Sequence, residues 1–178
     1  MIKNKPTVSF YLATPMTGRT GKELWDELLS TRPIYERHGI EVISPIEKEG
    51  IAPDKAVIKD RTELEMIEIW KHKDKGQIRS TNVFVYMASK LTSQGVAKEY
   101  CLARGVCWKP TIGVYLNGVK PGFITKAEDD VVATSHEEAA KLIIQNWGTR
   151  TKRNLWRLKM INRSILGWIW QQLREFWL

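Results

Sequence analysis

A chain of 178 residues suits one domain with a core large enough to fold without disulfides or metal, and its net charge of +8 first suggests a nucleic-acid partner. The distribution argues against that: residues 149–178 hold seven basic residues and one acid, Glu175, so the tail carries +6 and the first 148 residues only +2. Cys101 and Cys107 have no partner at metal-ligand spacing and read as reduced structural thiols. With neither a signal pattern nor a run of about 18 apolar residues, the expected location is the cytoplasm.

Thr7 to Ala13 is short, β-branched and aromatic, and the glycine-rich Thr14 to Gly21 follows it, which predicts a buried strand and a turn. Leu24, Trp25, Leu28, Leu29, Ile34 and Tyr35 recur at helical spacing, with a bend or break expected at Pro33 and a stop at Gly39. Ile40 to Ile43 is a second strand, and 46–60 reads as a loop with a short helix. Arg61 to Thr81 is mainly helical, with Leu64, Met66, Ile67, Ile69 and Trp70 on its apolar face and Gly76 weakening the last turns.

Val83 to Met87, Thr111 to Tyr115 and Val131 to Thr134 complete a set of five strands, with a helix over Val96 to Arg104 between the first two of these. Asn117-Gly118 and Pro121-Gly122 punctuate an exposed loop. Ser135-His136-Glu137-Glu138 is a capping-box pattern opening an amphipathic helix through Trp147. Strand, glycine turn, helix, strand is the opening of a parallel α/β sheet.

The tail, 149–178, differs in kind. It holds four of the eight tryptophans and no proline, and Leu155, Leu158, Ile161, Ile165, Trp168, Ile169, Leu173 and Phe176 cover one broad helical face. Two readings stand: a helix packed on the body or on a neighbouring subunit, and a basic, Trp-rich helix lying on an anionic membrane surface.

The stretch Ser93-Gln94-Gly95-Val96-Ala97-Lys98-Glu99 follows the third strand and opens the next helix. Backbone N–H groups at such a turn bind phosphate, and Glu99, about one turn in, is helped to stay ionised by the helix dipole. Taken alone, Glu99 is more simply a solvated helix residue, and Asp74 in Lys71-His72-Lys73-Asp74-Lys75 one charge on a solvated face. His38, His72 and His136 are scattered, so no metal is expected; no dinucleotide or Walker pattern is present, and Trp25, Trp70 and Trp108 read as core.

Four motifs in order, Tyr11-Leu12-Ala13-Thr14-Pro15-Met16-Thr17-Gly18, Gly39 to Pro45, Asp74 eight residues before Asn82, and Ser93-x-Gly95-Val96-x-x-Glu99, resemble the nucleoside 2-deoxyribosyltransferase superfamily. The last is closest to its branch of 2'-deoxynucleoside 5'-monophosphate N-glycosidases. The resemblance covers about 7–115 and implies a flavodoxin-like three-layer α/β sandwich of about five parallel strands. With the tail, this gives a catalytic domain over 1–148 and an amphipathic helical extension over 149–178.

The resemblance further implies Glu99 as nucleophile, Asp74 as the carboxyl group that handles the base's proton or holds the sugar, and Tyr11 lining the pocket beside Glu99. Ser93, where deoxyribosyltransferases acting on free nucleosides usually carry Asp, favours a phosphate, with the Gly95 and Val96 amides. Thr17, Gly18 and Arg19 are candidates to close that pocket, although Arg19 reads equally well as surface. Thr14-Pro15 departs from the small residues common in that turn.

The expected activity is hydrolysis of the N-glycosidic bond of a (deoxy)nucleoside 5'-monophosphate. The alternatives are base exchange between nucleosides and a non-catalytic nucleotide sensor. No cofactor is implied, and the partners are a small-molecule nucleotide or nucleoside and, as in the family, a second copy in a homodimer or higher oligomer.

Overall fold

The computed structural model describes residues 8–16, 18–48, 63–88, 94–120 and 130–162. Five strands, β1 (Val8–Ala13), β2 (Ile40–Ile43), β3 (Val83–Ala88), β4 (Thr111–Tyr115) and β5 (Val131–Ala133), form one sheet in the order β2-β1-β3-β4-β5. Every pairing is parallel, with Tyr11 opposite Phe84 and Val85 opposite Ile112. This is the flavodoxin-like order, and β2 and β4 fall on the residues the sequence predicts.

Period-two alternation sorts the strand side chains into two cores. Val8, Phe10 and Leu12 of β1, Val83 and Val85 of β3, and Ile112 and Val114 of β4 pack on one face with α1 (Gly21–Glu36) and α6 (His136–Trp147). Tyr11 and Ala13 of β1 and Phe84 and Tyr86 of β3 face the other way, against Ile78, Leu102 and Ala103. Each fully buried Leu, Ile or Phe in these layers contributes about 1.5–3 kcal/mol. The helices that supply this second core are α4 (Lys75–Ser80), which α3 (Glu63–Ile69) precedes in the chain, and α5 (Gln94–Cys101).

Several local expectations change. α1 runs through Pro33 without a break and ends before Gly39, whose φ of +70° suits glycine. Its start carries a capping box: the Glu23 N–H donates to Thr20 Oγ1 at 3.3 Å, and the Thr20 N–H donates to Glu23 Oε2 at 2.7 Å. At α6 only half of the expected box forms. The Glu138 N–H donates to Ser135 Oγ, while the Glu138 carboxylate reaches past Ser135 to accept from the Thr134 N–H and hydroxyl.

The helix predicted over 61–81 is helical from Glu63 to Ser80, but Trp70–Asp74 is a π-helical turn and Leu64 is exposed, not on a buried face. A second π turn, Leu102–Val106, extends α5. Such turns insert one residue into the helical ladder and rotate the residues beyond it, a shift that 3.6-residue periodicity does not register. Between β2 and α3 only α2 (Pro45–Lys48) belongs to the described residues, with the Ser44 hydroxyl accepting the Ile46 N–H.

Two thiol and tryptophan expectations also fail. Both cysteines are free, but Cys101 is exposed and so fills no core position. Trp108 is part-buried at φ +52° beside a surface groove, not in the core. The tail continues from α6 as α7 (150–162), and 163–178 lies outside the described residues. Among the described residues no helix is long and apolar enough to cross a membrane.

Candidate active site

β1 and β3 lie side by side at the centre of the sheet, yet the helix after β1 packs on the first face and the helix after β3 on the second. Chain connections leaving in opposite directions open a crevice at the carboxyl ends of those two strands, the usual ligand position in an open α/β sheet. Residues from β1 and α5 meet beside it.

The Tyr11 hydroxyl donates a 2.7 Å hydrogen bond to Glu99 Oε1, and both side chains are buried, Tyr11 at 0% and Glu99 at 7% exposure. Tyr11 is there because odd positions of β1 face the second core, where its ring stacks on Phe84 at 5.9 Å. Glu99 is there because α5 turns Val96 and Tyr100 toward the same core. A buried carboxylate is costly without a donor, and the short O–H···O contact has the length of a charge-assisted bond. Glu99 stands in the second turn of α5, past the reach of the helix dipole, so the phenol supplies the local stabilisation that the sequence assigns to the helix terminus.

Asp74 is also buried, at 7% exposure, while its neighbours His72 and Lys73 are exposed. The solvated-face reading therefore fails for Asp74 and holds for His72 and Lys73. Asp74 closes the first π turn and makes no side-chain capping bond to α4; one turn on, Ile78 packs into the core that holds Tyr11. Gln77, between them, has a side-chain oxygen buried without a hydrogen-bond partner among the described residues, an acceptor that a polar ligand can satisfy.

The other candidates separate. Ser93 and Thr17 lie outside the described residues. Gly95 is exposed in the first turn of α5, and Val96 is part-buried against the second core. Gly18 is exposed at φ +76° in the turn after β1. Arg19 is engaged with α1, its guanidinium 2.7 Å from Glu27 Oε2 and donating to the Glu23 carbonyl at 3.2 Å. Thr14 is buried, and its hydroxyl contacts Met87 Sδ at 3.7 Å across the carboxyl ends of β1 and β3.

Aromatic residues that the motifs do not contain complete the surroundings. Tyr86 and Tyr115 share a buried 2.8 Å hydrogen bond, and Tyr100 packs edge-on against both Phe84 and Tyr86. Their only sequence signal is their position at the carboxyl ends of strands or one residue after Glu99. Among the described residues no cluster of three His, Cys, Asp or Glu can hold a metal. His38 and His72 instead pair with Glu137 and Glu68, and His136 packs on Tyr35 in the opposite core.

Fold and site together define a three-layer α/β protein with a buried phenol–carboxylate pair at the switch point of its sheet. No protein-family model matches the sequence, and a comparison with curated proteins gives no match. Among solved structures, the 2-deoxyribosyltransferase of Bacillus psychrosaccharolyticus is similar over 74% of this chain and 90% of its own, with 15% identity and a TM-score of 0.56. A CMP N-glycosidase of Clostridium botulinum is similar over 77% of this chain and 98% of its own, with 15% identity and a TM-score of 0.44. The first likeness is one of fold, and it agrees with the flavodoxin-like architecture that the motifs imply.

Proposed function

We propose that this chain is an N-glycosidase of the nucleoside 2-deoxyribosyltransferase superfamily, hydrolysing the bond between base and sugar in a (deoxy)nucleoside 5'-monophosphate. The observation that carries the reading is the buried Glu99 carboxylate held by the Tyr11 hydroxyl at the switch point. Glycosidic cleavage develops positive charge at C1' and negative charge on the departing base, so the chemistry needs an ionised carboxylate for the first and a proton donor for the second. Glu99 is the carboxylate and Asp74 the donor.

In the first step Glu99 Oε2 attacks C1' while Oε1 stays on the Tyr11 phenol. The C1'–N bond breaks, its electron pair stays on the base nitrogen, and the Asp74 carboxyl proton neutralises it. In the second step water attacks C1', its proton passes to Asp74, and the C1'–Oε2 bond breaks to return Glu99. The first-turn amides of α5 at Gly95 and Val96 receive the 5'-phosphate, the role for which the motif also nominates Ser93. Gly18, in the turn after β1, is the described candidate to close the phosphate pocket, and Arg19 joins only if it leaves Glu27.

Chromatography of free base released from ribo- and deoxyribonucleosides, with and without a 5'-phosphate, tests the assignment. The expected result is release from monophosphates alone. Formation of a new nucleoside when a second base is added would replace hydrolysis by base exchange, and saturable binding without turnover would replace it by a sensor role.

A further inference from the structure

The body-facing side of α7 is defined by three residues at helical spacing. Arg153 donates to the Trp147 carbonyl at 2.9 Å, Trp156 packs against the first core under the Arg104 guanidinium, and Met160 lines a cleft with Trp147 and Trp156. At about 100° per residue, Leu155, Leu158 and Ile161 then point roughly to the opposite side. They are exposed accordingly, at 61%, 57% and 41%. A helix that already docks through one stripe has no packing need for a second apolar ridge outside it.

The ridge is bordered by charge of one sign. Arg150 and Arg157 fall along one flank; Lys152, whose ammonium donates to the Gln145 carbonyl, and Lys159, at the edge of the cleft that holds Met160, fall along the other, and all four are exposed. Residues 150–162 contain no acid. The charges act on one another: Arg157 and Arg150 add to burial in holding Arg153 below the usual arginine range, and Arg157 adds to burial in lowering Lys109. On the Arg157 side the ridge continues into a groove of about 370 Å³ lined by Cys107, Trp108, Arg157 and Ile161, next to the exposed Val106.

We propose that this outward face of α7 docks on an anionic lipid bilayer, with Leu155, Leu158 and Ile161 entering the headgroup–acyl boundary and the four flanking cations meeting lipid phosphates. An apolar ridge with basic borders is the pattern of interfacial helices, and a part-buried tryptophan such as Trp108 suits the same depth. A nucleic acid offers phosphates to the cations but nothing that takes up the apolar ridge between them. A second copy related by a twofold axis would set a wholly basic border against itself.

The geometry also leaves the catalytic crevice free. α7 packs where β4 and β5 begin: Asp130, just before β5, pairs with Arg104 and lines the cleft with Trp156. The crevice lies at the other ends of the strands, so a docked molecule opens toward soluble nucleotide. Docking of α7 does not depend on the catalytic reading.

Flotation of the full chain with phosphatidylcholine vesicles, and with an equimolar mixture of phosphatidylcholine and phosphatidylglycerol, provides the test. The intact protein is expected to float with the anionic vesicles at least about tenfold more than with the neutral ones, and to lose this at high salt. Leu155→Ser/Leu158→Ser/Ile161→Ser, and separately Arg150→Gln/Lys152→Gln/Arg157→Gln/Lys159→Gln, should each reduce flotation at least about tenfold with an unchanged circular dichroism spectrum. Flotation of the ridge variant at the intact level would overturn the proposal, since residues beyond 162 would then account for binding. So would failure of the intact chain to float. A ridge variant that binds no vesicles differently but falls from dimer to monomer, or loses binding to a single-stranded RNA probe, would reassign the face to that partner.

Discussion

Tyr11 and Glu99 are 88 residues apart in the chain and 2.7 Å apart at their oxygens, and neither is accessible to solvent to any useful degree. A central strand and a crossing helix thus hold one carboxylate oxygen in place. Tyr11→Phe keeps the ring on Phe84 and deletes only the donor. It is expected to lower kcat about 10- to 100-fold with KM changed less than about twofold, measured by initial rates of base release. An equal loss in KM would make Tyr11 a binding residue instead.

Asp74 is buried although Lys73 beside it is exposed and Lys75 is only half-buried. If it protonates the base, Asp74→Asn should cost about 10²-fold with an ordinary pyrimidine. The defect should shrink when the base is a better leaving group, as in a 5-fluoropyrimidine nucleotide. A constant loss across leaving groups would reduce Asp74 to a sugar contact.

On the opposite face, Tyr35 and His136 share a buried 3.0 Å hydrogen bond. Burial lowers the His136 pKa from its ordinary value to about 4 and raises that of the Tyr35 phenol. The unfolded chain therefore binds a proton at His136 that the folded chain does not. This dependence is absent above pH about 6.5, and stability falls as pH drops from there toward 4, by at most about 3 kcal/mol. Urea unfolding across that interval should show the slope, and His136→Gln should flatten it. A slope that persists in the variant would place the titration elsewhere.

Thr20 and Glu23 form the reciprocal cap at the start of α1, the helix after the first glycine turn. Thr20→Ala should lower stability by about 1 kcal/mol, and Tm by about 2–4 °C, by thermal denaturation. No change would mean that tertiary packing alone holds the helix end.

The sequence carried the sheet further than the helices. Ile40–Ile43 and Thr111–Tyr115 are short apolar runs bounded by glycine, proline or asparagine, and such punctuation is local, so both strands are legible to the residue. The π turns at Trp70–Asp74 and Leu102–Val106 leave no mark in composition, and Leu64, in the regular helix before the first of them, belongs to an apolar stripe on paper and is exposed in the molecule. Thr20-Gly21-Lys22-Glu23 does carry a capping pattern, concealed by glycines that read as turn.

The site divides along the same line. Glu99, Asp74 and Tyr11 are identified by motif resemblance, whereas their burial and the Tyr11–Glu99 bond belong to tertiary structure. Tyr86 and Tyr115 meet only because β3 and β4 pair in register, and no local spacing announces it. In the tail the described members of the predicted apolar face, Leu155, Leu158 and Ile161, stay exposed, with Ile161 at the edge of the Cys107–Trp108 groove, while the helix packs on the body through Trp156, which lies outside that face.

The most direct test of the account is the rate of base release by Glu99→Ala beside the wild-type protein, with and without added azide. The account predicts a fall of at least about 10²-fold, partly restored by azide with formation of a glycosyl azide, because a small anion can take the place of the missing carboxylate at C1'. Turnover near the wild-type rate without azide would contradict it, and the buried pair would then be a structural contact.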